Sequence, residues 1–212
     1  MYLYFFGDSI SFGQGISVDL TWVNRIAQEL HQQYGRDKIT VINTSINGNT
    51  TRMALERMPY DIQSHDVDVL LVGFGMNDCN YWVTDKGVPR VSPNAFRANL
   101  EEIVNRAFHF GAKKVVLRTN HPSPRTDYMT NTDITYGESN HFYNEIIREV
   151  AKGDSRITFV DVEQEFDRYI KEHHVRLEEL TLPDGVHLSL LGHDVYFECM
   201  YPVIARIVEE EH

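Results

Sequence analysis

Short, nearly unbroken apolar runs alternate along this chain with stretches of helical spacing, and that alternation is its strongest constraint on a fold. Residues 2–6 read Tyr-Leu-Tyr-Phe-Phe, residues 39–42 read Ile-Thr-Val-Ile, and residues 67–74 are apolar except for Asp68 and Gly73. Residues 114–118, apolar at Val115 to Leu117 between Lys114 and Arg118, and residues 157–160 supply two more strand candidates. Runs of this length and character read as strands covered on both faces, as in a parallel sheet. Between them, residues 21–34 carry Val23, Ile26, Ala27 and Leu30 on one helical face, and Gly35 follows as a stop. A second helix is expected from about residue 50 to just before Pro59. A third begins at Ser92-Pro93, serine as cap and proline at the first helical position. Its inward face is Phe96, Leu100, Ile103, Val104 and Ala107, and Gly111 ends it. Helices over about 140–152 and 163–173 are expected next, then a last helix capped by Ser189 that Pro202 kinks or splits.

Strands alternating with helices imply a mostly parallel sheet with helices on both faces. Right-handed crossovers then bring every strand's C-terminal end to one rim, where ligands bind in open sheets of this kind. No linker or repeat interrupts the pattern, so residues 1–212 are expected to form a single domain. The formal charge of −11 argues against a nucleic-acid partner, which needs basic surface. No apolar run approaches the roughly 20 residues of a bilayer-spanning helix, so no membrane insertion is expected. Cys79 and Cys199 lie far apart without a C-x-x-C spacing, which gives neither a disulfide framework nor a structural zinc site. The N-terminal apolar run lacks a preceding basic region and reads as a strand, not a signal peptide. A cytoplasmic setting is the expectation.

The unusual polar stretches follow the first three strands. They offer Ser9 after Gly7-Asp8, Gly48 within residues 43–51, and Asn77 after Gly75-Met76. A stretch near the C-terminus adds Asp184 and His187 across a Gly-Val turn. Serine needs a neighbouring base to take its proton, and histidine is the usual one near neutral pH. A carboxylate on the other imidazole nitrogen fixes the tautomer, and Asp184 could make that contact within its own loop. The backbone N–H groups of Ser9 and Gly48 and the side-chain amide of Asn77 are candidate donors to a developing oxyanion. Each residue also has a plainer reading: a turn serine, a loop histidine, a glycine permitting a turn, an asparagine capping a strand end.

Gly7-Asp8-Ser9-Ile10, Gly48 in Asn-Gly-Asn-Thr-Thr, Gly75-Met76-Asn77-Asp78 and Asp184-Gly185-Val186-His187 resemble the four sequence blocks of the SGNH hydrolases, also called GDSL esterases and lipases. The blocks stand in the family's order and span residues 7–187, with Ile10 where the family has leucine. The resemblance implies a three-layer α/β/α sandwich with a five-stranded parallel sheet, flavodoxin-like in outline. It implies Ser9 as nucleophile, His187 as base, Asp184 as its partner, and Ser9, Gly48 and Asn77 as the oxyanion hole. It implies no metal and no organic cofactor. The G-x-S-x-G elbow of α/β-hydrolases is missing, so Ser9 is expected on an ordinary loop.

Asp8 is expected to shape that loop through a hydrogen bond, and Asp78 to play a supporting part. Cys79 reads as a small semi-buried residue, and His173-His174 as a solvated face. His121, at the end of the fourth strand, faces the same rim and joins Tyr81 and Trp82 as a candidate substrate contact. The loops 79–91 and 120–137 mix aromatics with amides, hydroxyls, Lys86, Arg90 and Arg125. That mixture suits a small-molecule or glycan-linked acyl ester, and a carbohydrate O-acetylesterase is the expected activity. The resemblance also admits thioesterase, lysophospholipase and arylesterase activities. Two readings from other classes remain. One is a metal-dependent phosphoesterase using Asp8, Asn77, His121, Asp184 and His187, against which the chain lacks paired Asp-x-His and Gly-Asn-His runs. The other is a non-catalytic carbohydrate-binding protein.

Overall fold

The computed structural model describes residues 1–211. Five parallel strands form one sheet in the order β2-β1-β3-β4-β5. They are β1 Tyr2–Gly7, β2 Thr40–Asn43, β3 Val69–Gly73, β4 Lys114–Arg118 and β5 Ile157–Val160. Every residue of β3 is buried, whereas the edge strands β2 and β5 are largely half-exposed, which explains why their sequences are less uniformly apolar. The sheet and its flanking helices match the expected three-layer architecture.

The helices are α1 Ser9–Phe12, α2 Trp22–Tyr34, α3 Thr51–Met58, α4 Pro93–His109, α5 Tyr136–Gly153, α6 Val162–His173 and α7 Leu190–Glu211. Helix α2 packs with α7 and α7 with α6, while α3, α4 and α5 pack in series. Handedness accounts for the division. The crossover through α2 steps from β1 to β2 in one direction, and those through α3, α4 and α5 step in the other. Right-handed connections therefore place them on opposite faces. The reversal falls between β1 and β3, whose final residues Gly7 and Gly73 are register partners. The segments leaving those glycines carry Ser9 and Asn77, at the switch point where a crevice opens.

The α4 face expected from the sequence is the buried one, residue for residue. Other boundaries differ. Ser9 is not on an ordinary loop: it opens the single turn α1, capped by Asp8 and closed by Gly13 at φ 83°. Helix α5 starts at Tyr136, not near residue 140, because Thr135 and Glu138 form a reciprocal capping box. After α3 the chain continues through a π-helical turn, Pro59–Gln63, with proline at its first position. Pro202 lies inside α7, which runs through it as one element and is not split. Among the described residues, no helix is long and apolar enough to cross a membrane.

Candidate active site

The strand-end serine and the C-terminal loop meet across 178 residues of sequence. Ser9 Oγ lies 2.9 Å from His187 Nε2, and His187 Nδ1 lies 2.6 Å from Asp184 Oδ2. An ionised carboxylate only accepts, so Nδ1 carries the ring proton and Nε2 is free to accept from the serine hydroxyl. Asp184 Oδ1 accepts from the backbone N–H groups of Val186 and His187, both at 2.9 Å. Partial burial raises the Asp184 pKa, but the His187 ring and these two N–H groups outweigh it and hold the carboxyl below its ordinary value. The carboxylate thus stays charged where its partner needs it.

Opposite this line stand the other strand-end residues. Ser9 N–H lies at the start of α1, where backbone donors have no helical partner. Gly48 has φ +76°, and a Cβ there would meet nothing within 4 Å, so its backbone borders open space. Asn77 Nδ2 donates to Asp8 Oδ2 at 3.4 Å, while Arg90 Nη1 donates to Asn77 Oδ1 at 3.4 Å and to Gly48 O at 3.3 Å. Ser9, Gly48, Asn77, Asp184 and His187 therefore converge on one rim.

The sequence model of the GDSL-like Lipase/Acylhydrolase family matches residues 5–195. The chain belongs to that family. An arylesterase of Vibrio mimicus is 30% identical over 116 residues, 55% of this chain and 53% of that protein. The chain spans about half the length of the curated relatives that lead its matches. Among solved structures, the acetyl xylan esterase AlAXEase superposes with a TM-score of 0.77 at 22% identity, over 96% of this chain and all of that one. The acetylxylan esterase of Geobacillus stearothermophilus gives 0.75 at 22%, over 93% and 91%. These likenesses establish the fold.

Around this GDSL-type site the structure adds supports that the sequence did not announce. Three side chains of the β4–α5 connection donate to three successive carbonyls of the loop carrying Asp184 and His187. His121 Nε2 reaches Val186 O at 2.8 Å, Ser123 Oγ reaches Gly185 O at 2.6 Å, and Arg125 Nε reaches Asp184 O at 2.6 Å. This corrects the expectation for His121. It is fully buried behind the loop and cannot line the substrate side. Its Nδ1 accepts from Tyr196 Oη at 3.2 Å, and burial pushes its pKa down to about 3, so it stays neutral.

Tyr196 also accepts from Arg118 Nη1 at 3.1 Å, and Arg118 Nη2 donates to Ser11 Oγ at 3.2 Å. A buried chain of polar groups thus runs from the serine turn to the histidine loop. Arg118 needs the space above β3: a Cβ on Gly73 would come within 2.4 Å of its guanidinium. The only hint of this role was a cation closing a strand whose centre, Val115 to Leu117, is apolar. Arg57, on α3, was also unannounced. It donates to Gly7 O at 3.1 Å, Thr44 O at 2.6 Å and Asn49 Oδ1 at 2.7 Å, tying the Gly48 loop to the end of β1.

Asp8 behaves as expected, its Oδ1 accepting from Ile10 N–H at 3.0 Å. Burial raises its pKa against the pull of Arg118. Asp78 Oδ1 accepts from Thr51 N–H at 2.9 Å and Thr51 Oγ1 at 2.5 Å, bolting α3 to the Asn77 turn. Burial still carries its pKa up to about 7. Cys79 is fully buried, not semi-buried, and burial raises its thiol pKa far from a reactive thiolate. Trp82 is half-exposed with the Arg90 guanidinium 3.9 Å over its ring, which brings it to the rim. Tyr81 is half-buried, and that burial raises its hydroxyl pKa.

Proposed function

We propose that this chain is a serine esterase that cleaves a short acyl ester through an acyl-enzyme on Ser9. The unbroken line from Ser9 through His187 to Asp184, beside Gly48 and Asn77, carries the reading. Ser9 Oγ attacks the ester carbonyl as its proton passes to His187 Nε2. The imidazolium that forms is stabilised by Asp184. Negative charge then appears on the former carbonyl oxygen, within reach of the Ser9 and Gly48 N–H groups and Asn77 Nδ2. Collapse expels the alcohol, which takes the proton from His187. Water next attacks the acyl-enzyme with His187 again as base, releasing the acid and restoring Ser9.

The substrate we favour is a small-molecule or glycan-linked acetyl ester. The hydroxyls, amides and guanidinium groups of the two rim loops support a polar alcohol portion, as do the acetylxylan esterases that share the fold. The arylesterase likeness favours a second reading, an aryl ester of a short acid. The phosphoesterase reading is weakened because His121, Asp184 and His187 are all committed to hydrogen bonds within the protein.

Ser9→Ala is expected to lower kcat on p-nitrophenyl acetate by on the order of 10⁴-fold or more and to abolish fluorophosphonate labelling. Full turnover by that variant would end the assignment. Acetyl, butyryl and octanoyl esters, compared with acetylated xylo-oligosaccharides and acyl-thioesters, test the substrate class; a preference for octanoyl would sink the acetylesterase.

A further inference from the structure

Stabilising an oxyanion requires Asn77 to present Nδ2 and not Oδ1, yet the two ends of an amide have nearly the same shape. The surroundings decide the orientation. Asp8 Oδ2 stands 3.4 Å from Nδ2, and Arg90 Nη1 stands 3.4 Å from Oδ1. A carboxyl oxygen at the donor end and a guanidinium at the acceptor end fix one direction of the amide. Turning the amide over would set its oxygen against the Asp8 oxygen and its N–H against the guanidinium. One Nδ2 hydrogen goes to Asp8, which leaves the second for the reacting oxygen.

The same Arg90 nitrogen donates to Gly48 O at 3.3 Å, so the two donor residues contributed by different strand ends are joined through one atom. Arg90 is itself held. Its guanidinium carbon sits 3.9 Å over the Trp82 ring, and its backbone N–H donates to Asn80 O at 2.9 Å. Stacking on an indole face restrains a long side chain that would otherwise sample many rotamers.

We propose that Arg90, steadied by Trp82, is a positioning residue that sets the direction of the Asn77 amide and its distance from Gly48, and so assembles the oxyanion site. The proposal rests on the esterase reading above. It assigns the loop 79–91 a part in the chemical step in addition to any contact with substrate.

A double-mutant cycle on p-nitrophenyl acetate tests it. Arg90→Met is expected to lower kcat by about 10- to 100-fold with KM nearly unchanged, the cost of a donor displaced by a fraction of an ångström to one ångström. Arg90→Lys should regain part of that loss, since an ammonium still reaches an oxygen. In an Asn77→Ala background, Arg90→Met should cost much less than it does alone. Equal losses in both backgrounds, or an effect confined to KM, would overturn the proposal and make Arg90 a substrate contact. Full kcat in Arg90→Met with Asn77→Ala impaired would overturn the proposal while leaving the esterase reading intact. Full kcat in Asn77→Ala would instead remove the oxyanion assignment beneath it. Melting temperatures accompany each variant; if Arg90→Met does not fold, Arg90→Lys and Trp82→Ala carry the same cycle.

Discussion

The two sides of the site are built to different tolerances. On the side of His187, the loop is gripped by three donors at 2.6 to 2.8 Å, and the Asp184–His187 contact is 2.6 Å. On the side of Asn77, the corresponding contacts through Asp8 and Arg90 are 3.3 to 3.4 Å, at the long end of N–H···O geometry. The roles proposed above account for the difference. As the proposed base, His187 must hold one tautomer before any substrate arrives, so its carboxylate partner is already in place. The proposed oxyanion donors meet no anion until the transition state, and catalytic hydrogen bonds are often long before that charge develops. Asp184→Asn breaks the tight side most directly. It keeps an oxygen for the Val186 and His187 N–H groups but favours the wrong ring tautomer, so kcat should fall on the order of 10⁴-fold with the loop still folded. A loss of only a few fold would show that Asp184 does not orient the base.

A smaller effect probes how much of that tightness comes from the neighbouring loop. Ser123→Ala and Arg125→Met each remove one donor from the carbonyl row of the histidine loop. Each is expected to lower kcat by roughly 10-fold while KM holds, because the ring and not the substrate pocket is displaced. Their effects should be less than additive, since both act on one short segment. Unchanged kcat in the double variant would mean that the Asp184 turn, with its own two N–H contacts, holds the geometry unaided.

Much of the frame was legible because it is periodic. Five apolar runs located the strands to within about two residues, and the i, i+3, i+4 pattern of α4 gave its buried face. The four motif blocks pointed to the rim. What escaped reading was held by single contacts over long sequence separations. His121 was rightly assigned to the rim end of β4, but a strand-end position does not tell which side of a distant loop a ring will occupy. The His121–Val186 bond spans 65 residues, and the Arg118–Ser11 bond spans 107. Neither leaves a periodic trace. Trp82 was expected to touch substrate and Arg90 was noted only as a loop residue; their pairing was missed because a cation over an aromatic ring eight positions away follows no helical or strand spacing. The short helix at Ser9 failed for a local reason: one turn is too brief for a pattern, and only the Asp8 cap signals it.

The finest difference between the two sides is their response to pH. Behind the histidine loop, burial lowers the His121 pKa to about 3, below the ordinary value near 6.5. In that interval the unfolded chain binds the proton and the folded chain does not, so stability falls as pH drops from about 6.5 toward 3. Beneath Asn77 the sign is opposite. Burial raises the Asp78 pKa to about 7, and the nearby Asp8 carboxyl adds to the rise, so the folded chain holds a proton that the unfolded chain releases from about pH 3.8 upward. Stability from this group is therefore lost as pH climbs toward 7. His121→Gln retains a donor for Val186 O and should flatten the acid side of a urea-unfolding profile. Asp78→Asn retains an acceptor for Thr51, replaces an oxygen that has no hydrogen-bond partner among the described residues, and should flatten the profile between about pH 4 and 7. If both variants changed the profile in the same direction, the burial that distinguishes these two supports would not be what sets their protonation.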